Sequence, residues 1–172
     1  MNPDLRRLRN AIGSATAGMG TEDLARHTEG KWSTAEILEH LCRSYTGTIK
    51  AFERCLQKGK PLARSSTFKD RIRTVVVTRL NYMPKGRTAP EPTMPKGMPP
   101  EQVMENIGPA ILAMDAVIEQ CRYRFGKTVK VLDHPILGPL NTQEWCRFHW
   151  VHGNHHVKQI LKLRKQAPGA GR

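Results

Sequence analysis

The amino-acid sequence predicts an all-α protein: an antiparallel four-helix bundle with an additional short helix and a long Pro-rich loop. Three observations carry that expectation. Apolar residues recur at alternating three- and four-residue spacing over several long segments, strand signals are few, and six prolines crowd into residues 84–100.

Taken in order, Leu5, Leu8, Ile12, Ala15 and Met19 mark a first amphipathic helix, interrupted near Gly18 and Gly20, after which Thr21 starts a short turn. Ser33 followed three residues later by Glu36 reads as a capping box. It opens a long helix with the stripe Ile37, Leu38, Leu41, Tyr45, Ile49, Phe52 and Leu56, which Gly59 and Pro61 stop. A third helix is expected from about Lys69 to Tyr82, carrying Ile72, Val75, Val76, Leu80 and Met83, with a strand as the alternative because its centre is Val-rich. The prolines of residues 84–100 exclude helix and central strand, leaving an extended loop able to drape over a site. Met104, Ile107, Ile111, Met114, Ile118, Cys121 and Phe125 then form the clearest helical stripe, ended by Gly126. A loop with His134-Pro-Ile-Leu-Gly-Pro follows, and Asn141 or Thr142 caps a last helix running through Leu163.

At 172 residues the chain predicts a single domain over residues 1–166 with a flexible tail at 167–172. The start, MNPDLRRLRN, lacks the apolar core of a signal peptide, and no apolar run approaches a membrane span, so a cytoplasmic protein with no membrane partner is expected. Cys42, Cys55, Cys121 and Cys146 lie far apart without a CxxC pair, which suits reduced packing residues. The 28 Lys+Arg against 15 Asp+Glu leave a net charge of +13, concentrated in residues 44–99, with 12 basic and 3 acidic side chains, and in residues 142–172, with 6 and 1.

Four of the seven histidines crowd between His149 and His156. At about 100° per residue, Trp145, His149, His152, His156, Ile160 and Leu163 fall within an arc of about 80°, so these histidines share the core-facing stripe, while His155 lies at its edge. The i,i+4 pair His152 and His156 has the spacing to hold one divalent metal; two hydrogen-bonded core histidines are the plainer reading. His40, mid-way along the second long helix on the side of Ile37 and Ser44, is the candidate third nitrogen if the bundle brings inward side chains to a common depth. The three would form a facial site with positions open for water or substrate. Cys42 points about 200° away from His40 and is a poor ligand for the same metal.

Trp32-Ser-Thr-Ala-Glu36-Ile-Leu-Glu-His40-Leu resembles the first-ligand helix of the DinB-like family of metal-dependent bundle proteins. Trp150-Val-His152-Gly-Asn-His155-His156-Val-Lys-Gln159-Ile is similar to that family's final-helix motif: His, a second His four residues on, and Gln three residues later. His134-Pro-Ile-Leu-Gly138 and Thr142-Gln-Glu144-Trp145 look like an uncharacterised branch. The resemblance implies a four-helix bundle, metal ligands His40, His152 and His156, nickel or zinc as the metal, and frequently a homodimer. Relatives include thiol S-transferases, mycothiol-dependent isomerases and many members without known activity.

The expected chemistry is activation of a low-molecular-weight thiol or of water at a divalent metal, for S-transfer or hydrolysis on a small-molecule substrate. Glu36 and His149 are the candidate catalytic side chains. Glu36 sits one turn before His40, although its capping box already explains it, and His149 is either a proton carrier one turn before His152 or a packed core residue. His134 either lines the mouth of the site or holds a turn. The alternative function is a non-catalytic basic module binding nucleic acid or another anionic partner, motivated by the charge of residues 44–99 and the last helix, without any recognisable nucleic-acid-binding motif.

Overall fold

The structure, a computed structural model, describes residues 1–82 and 89–166. It is mostly helical: α1 (Pro3–Thr16), α2 (Thr21–Ala25), α3 (Thr34–Lys58), α4 (Phe68–Thr78), a 3-10 turn at Glu91–Thr93, α5 (Pro100–Phe125), the strands β1 (Lys130–His134) and β2 (Gly138–Asn141), and α6 (Thr142–Lys165). The tail expected at 167–172, together with Met83 and Pro84 of the third-helix and loop expectations, lies outside the described residues.

Local chemistry sets the helix ends. Ser33 Oγ accepts from the Glu36 N–H while the Glu36 carboxylate accepts from the Ser33 N–H, completing the expected capping box of α3, and Gly59 closes the helix at φ +67°. Asn141 and Glu144 form a second box that makes Asn141 the cap of α6. α5 continues through Pro109, although a proline there has no N–H to give its helix.

The helices pack mainly in two pairs, α3 along α5 and α1 along α6, with α6 also touching α3, α4 and α5. Leu5, Leu8 and Ile12 of α1, Leu38, Leu41, Tyr45 and Phe52 of α3, Ile107, Ile111, Met114 and Ile118 of α5, and Trp145 and Ile160 of α6 are buried together. The α1/α6 pair is close enough that a Cβ on Gly153 would stand 2.2 Å from Leu8 Cδ1. The four cysteines are free and buried, and burial pushes the Cys42 thiol up to about 11 and those of Cys121 and Cys146 to about 12, as befits inert packing residues. Among the described residues no helix is long and apolar enough to cross a membrane.

Three expectations are corrected. The Pro-rich stretch, expected to exclude helix, holds the 3-10 turn Glu91–Thr93, and Pro100 opens α5, because proline is tolerated in a first helical turn, where its missing N–H has no helical partner to lose. α4 is a helix, but it ends at Thr78 and buries the opposite face: Asp70, Thr74, Val77 and Thr78 face inward, while Phe68, Ile72, Val75 and Leu80 are exposed. The reason is the polar surface it meets. Thr74 Oγ1 donates to the Leu137 carbonyl, the Thr78 carbonyl accepts from Arg147 Nε, and Asp70 receives Arg64 and Thr67. The segment expected as a loop around His134 is instead a tight antiparallel hairpin, with Leu132 opposite Leu140 and His134 opposite Gly138. Gly138, at φ +77°, lies against α4 so closely that a Cβ would be 2.5 Å from Asp70 Cγ.

Candidate metal centre

His40 stands on α3 two turns from its cap, and His152 and His156 stand one turn apart on α6. The helix pairing brings all three rings together: His40 Nε2 lies 3.2 Å from His152 Nε2, which lies 3.1 Å from His156 Nε2, and all three ligand atoms fall within 4.8 Å of one another. Phe148 stacks on His152 with its ring nearly parallel, and Trp32 flanks His40.

Hydrogen bonds on the far side of two rings decide which nitrogen faces the centre. The Thr93 carbonyl, 2.9 Å from His40 Nδ1, can only accept, so Nδ1 carries the proton and Nε2 presents a lone pair. His156 Nδ1 donates to Gln159 Oε1 at 2.7 Å, with the same result, and the Gln159 amide nitrogen lies 3.4 Å from His155 Nε2. His152 is partly buried, and its buried Nδ1 has no hydrogen-bond partner.

Electrostatics keep these rings neutral. Burial lowers the pKa of all three; mutual repulsion adds to this at His152, which falls well below its usual value, and at His156, which falls to about 3. Neutral imidazole is the form that binds a metal. His40 and His156 each aim an Nε2 lone pair at His152 Nε2, and the three nitrogens together are a set that one cation can bridge. The donor set therefore fits a divalent ion such as nickel or zinc.

The Pro-rich segment is tied down over α3 by three contacts. Besides the Thr93 carbonyl on His40, the Pro92 carbonyl accepts from the Arg43 guanidinium, and the Glu39 carboxylate, only 2% exposed, accepts from the N–H groups of Lys96, Gly97 and Met98 at 2.7–3.0 Å. Gly97, at φ +86°, turns the backbone so that these three N–H groups converge. Sequence reasoning missed both Glu39 and the Thr93 carbonyl. The only available signal was an acidic residue next to His40 on a helix with a buried face.

The other candidates lie elsewhere. Glu36 is committed to the Ser33 cap, with His27 at 3.6 Å, and makes no hydrogen bond to the three rings. His149 is fully buried, with Nε2 3.1 Å from Thr48 Oγ1 and its ring between Trp145 and Tyr45. Its Nδ1 and the Tyr45 hydroxyl are buried without partners. Burial, with a smaller contribution from His134, pushes His149 down to about 3. His134 is a turn histidine, its Nδ1 accepting from the Ile136 and Leu137 N–H groups, and its ring packs against Phe148.

Compared with known families, residues 7–163 match the model described as a protein of unknown function, DUF1569. No curated protein and no solved structure matches the chain.

Proposed function

We propose, for a chain that belongs to the DUF1569 family of proteins of unknown function, that His40, His152 and His156 hold one divalent metal ion, nickel or zinc, in a DinB-like four-helix bundle. The protein is read as a metal-dependent enzyme that transfers a low-molecular-weight thiol to a small molecule or hydrolyses one. The observation that carries the reading is the convergence of three Nε2 atoms, two of them aimed by partners on their Nδ1 side. The bundle is supported by the side-by-side packing of α3 with α5 and of α1 with α6.

Within that reading the chain's own groups have separate tasks. Thr93 and Gln159 fix the ring orientation of His40 and His156, and Glu39 and Arg43 hold the strap that carries Thr93. Phe148 stacks on His152 and Trp32 flanks His40, holding the rings in place. A divalent ion bound there supplies Lewis acidity, which lowers the pKa of a thiol or a water.

The test is metal analysis of protein purified without a polyhistidine tag, followed by titration with nickel and with zinc. One ion per chain, lost in His40→Ala and in His156→Ala, supports the reading. Failure to retain either metal after incubation overturns it.

A further inference from the structure

α6 carries a second polar stripe beside the histidines. At about 100° per residue, His155, Lys158, Lys162 and Lys165 fall within an arc of about 80°, adjacent to the arc of His152 and His156. Gln159 lies at the seam between the two. This outer stripe lines a groove of about 800 Å³ that Asn81 and Tyr82 border, and Asn154 and Gln159 also line it. All three lysines and Tyr82 are exposed, no acidic side chain is among the described residues that line the groove, and none follows Glu144 in the sequence.

We propose that this groove is a binding site for a small molecule bearing two or more phosphate or carboxylate groups. With a rise of about 1.5 Å per residue, Lys158, Lys162 and Lys165 are rooted about 6 Å and then 4.5 Å apart along the helix axis, within reach of neighbouring anionic groups on one molecule. The groove is half open, and the amides of Asn154, Gln159 and Asn81 with the Tyr82 ring supply neutral donors and an aromatic edge beside the lysines. Basic residues in the last turn of a helix offset its dipole, but Lys158 stands before that turn, and Arg164 is already turned to the Ala15 carbonyl at the end of α1. The inference deepens the metal-centre reading and rests on it for calling the anion a substrate: Gln159 lines the groove and also receives the His156 Nδ1 proton, so the two sites share one side chain.

The test uses isothermal titration calorimetry on the full chain, freed of metal so that chelation contributes nothing, with sodium pyrophosphate and separately with sodium citrate. Saturable binding of either probe is expected, weakened at least tenfold in Lys158→Gln/Lys162→Gln. The equally charge-depleted Lys69→Gln/Arg71→Gln on α4 should change it less than twofold. Equal weakening in both variants, or no saturable binding of either probe, overturns the proposal. So does a twelve-nucleotide oligothymidylate that displaces pyrophosphate and binds more than tenfold tighter, which would assign the groove to a nucleic-acid strand. Nickel binding, measured separately on the lysine variant, separates the two readings. Intact nickel binding without anion binding removes only the groove, and anion binding by a wild type that binds neither nickel nor zinc removes only the metal centre.

Discussion

Two buried polar clusters in this protein look alike by composition and differ in what they lack. Around Asp70, every strong group has a partner: its carboxylate accepts both Arg64 guanidinium nitrogens and the Thr67 N–H and hydroxyl, and Gly138 closes against it. Around His152, the Nε2 atoms of three rings meet, two of them aimed there by partners on the outer side of His40 and His156, while His152 Nδ1 is buried without a partner. A satisfied cluster is complete as a fold element, whereas the cluster that keeps an unpartnered ring nitrogen is the one in which we propose a cation.

Breaking each cluster should therefore give different failures. The largest effect is expected for His156→Ala, which should lower nickel or zinc affinity more than 100-fold, or about 2.7 kcal/mol, while the metal-free melting temperature changes little. Calorimetric metal titration with a parallel thermal melt checks both halves. Gly138→Ala should do the reverse, costing about 2–4 kcal/mol of stability in urea unfolding because the new Cβ collides with Asp70 at a left-handed backbone position, while folded protein keeps its metal affinity. Gln159→Leu, which removes the acceptor behind His156, should weaken metal binding about 10–100-fold without unfolding the chain.

Acid should separate the buried core histidines from the Asp70 cluster by pH window. Burial lowers His149 to about 3 and His134 to about 4, so between pH 6.5 and those values the unfolded chain binds protons that the native chain does not. Stability of the metal-free protein should fall as pH drops through that window, and His149→Phe should flatten the slope. Arg64, foremost, and Thr67 hold the Asp70 carboxyl well below its usual range, so its contribution is present above about pH 4 and lost only below it. Urea unfolding at pH 7, 5.5, 4 and 3 reads both windows; an Asp70→Asn variant should lose the low-pH step. The smallest effect is expected for Glu36→Gln. Gln can still accept from the Ser33 N–H, so both bonds of the capping box remain and only the negative charge at the helix start is lost; stability should fall by less than about 1 kcal/mol, with metal affinity unchanged.

The legible parts of the site were those written in helical periodicity. His152 and His156 could be placed on one face from spacing alone, and Ser33 and Glu36 anchored the helix that holds His40. The Glu39 pin was not legible because its partners, the N–H groups of residues 96–98, are backbone atoms about sixty positions away and have no side-chain signature. The inward face of α4 was misread for a related reason: Ile72, Val75 and Leu80 are the apolar residues, but the surface beneath α4 offers the Leu137 carbonyl and Arg147, which select the threonines and Asp70. The hairpin was missed because its strands are only five and four residues long and carry no sustained alternation.

Sequence alone determined the helical character, the capped starts of α3 and α6, and the candidate ligands, because these depend on interactions between residues only a few positions apart. Tertiary structure alone decided that His40 meets the α6 pair, that Thr93 and Gln159 turn two Nε2 atoms to a common point, and that His149 lies in the core with its Nε2 on Thr48. Those contacts join helices and a strap far apart in the chain, and their selection rests on which buried polar groups must find partners once the apolar faces have closed.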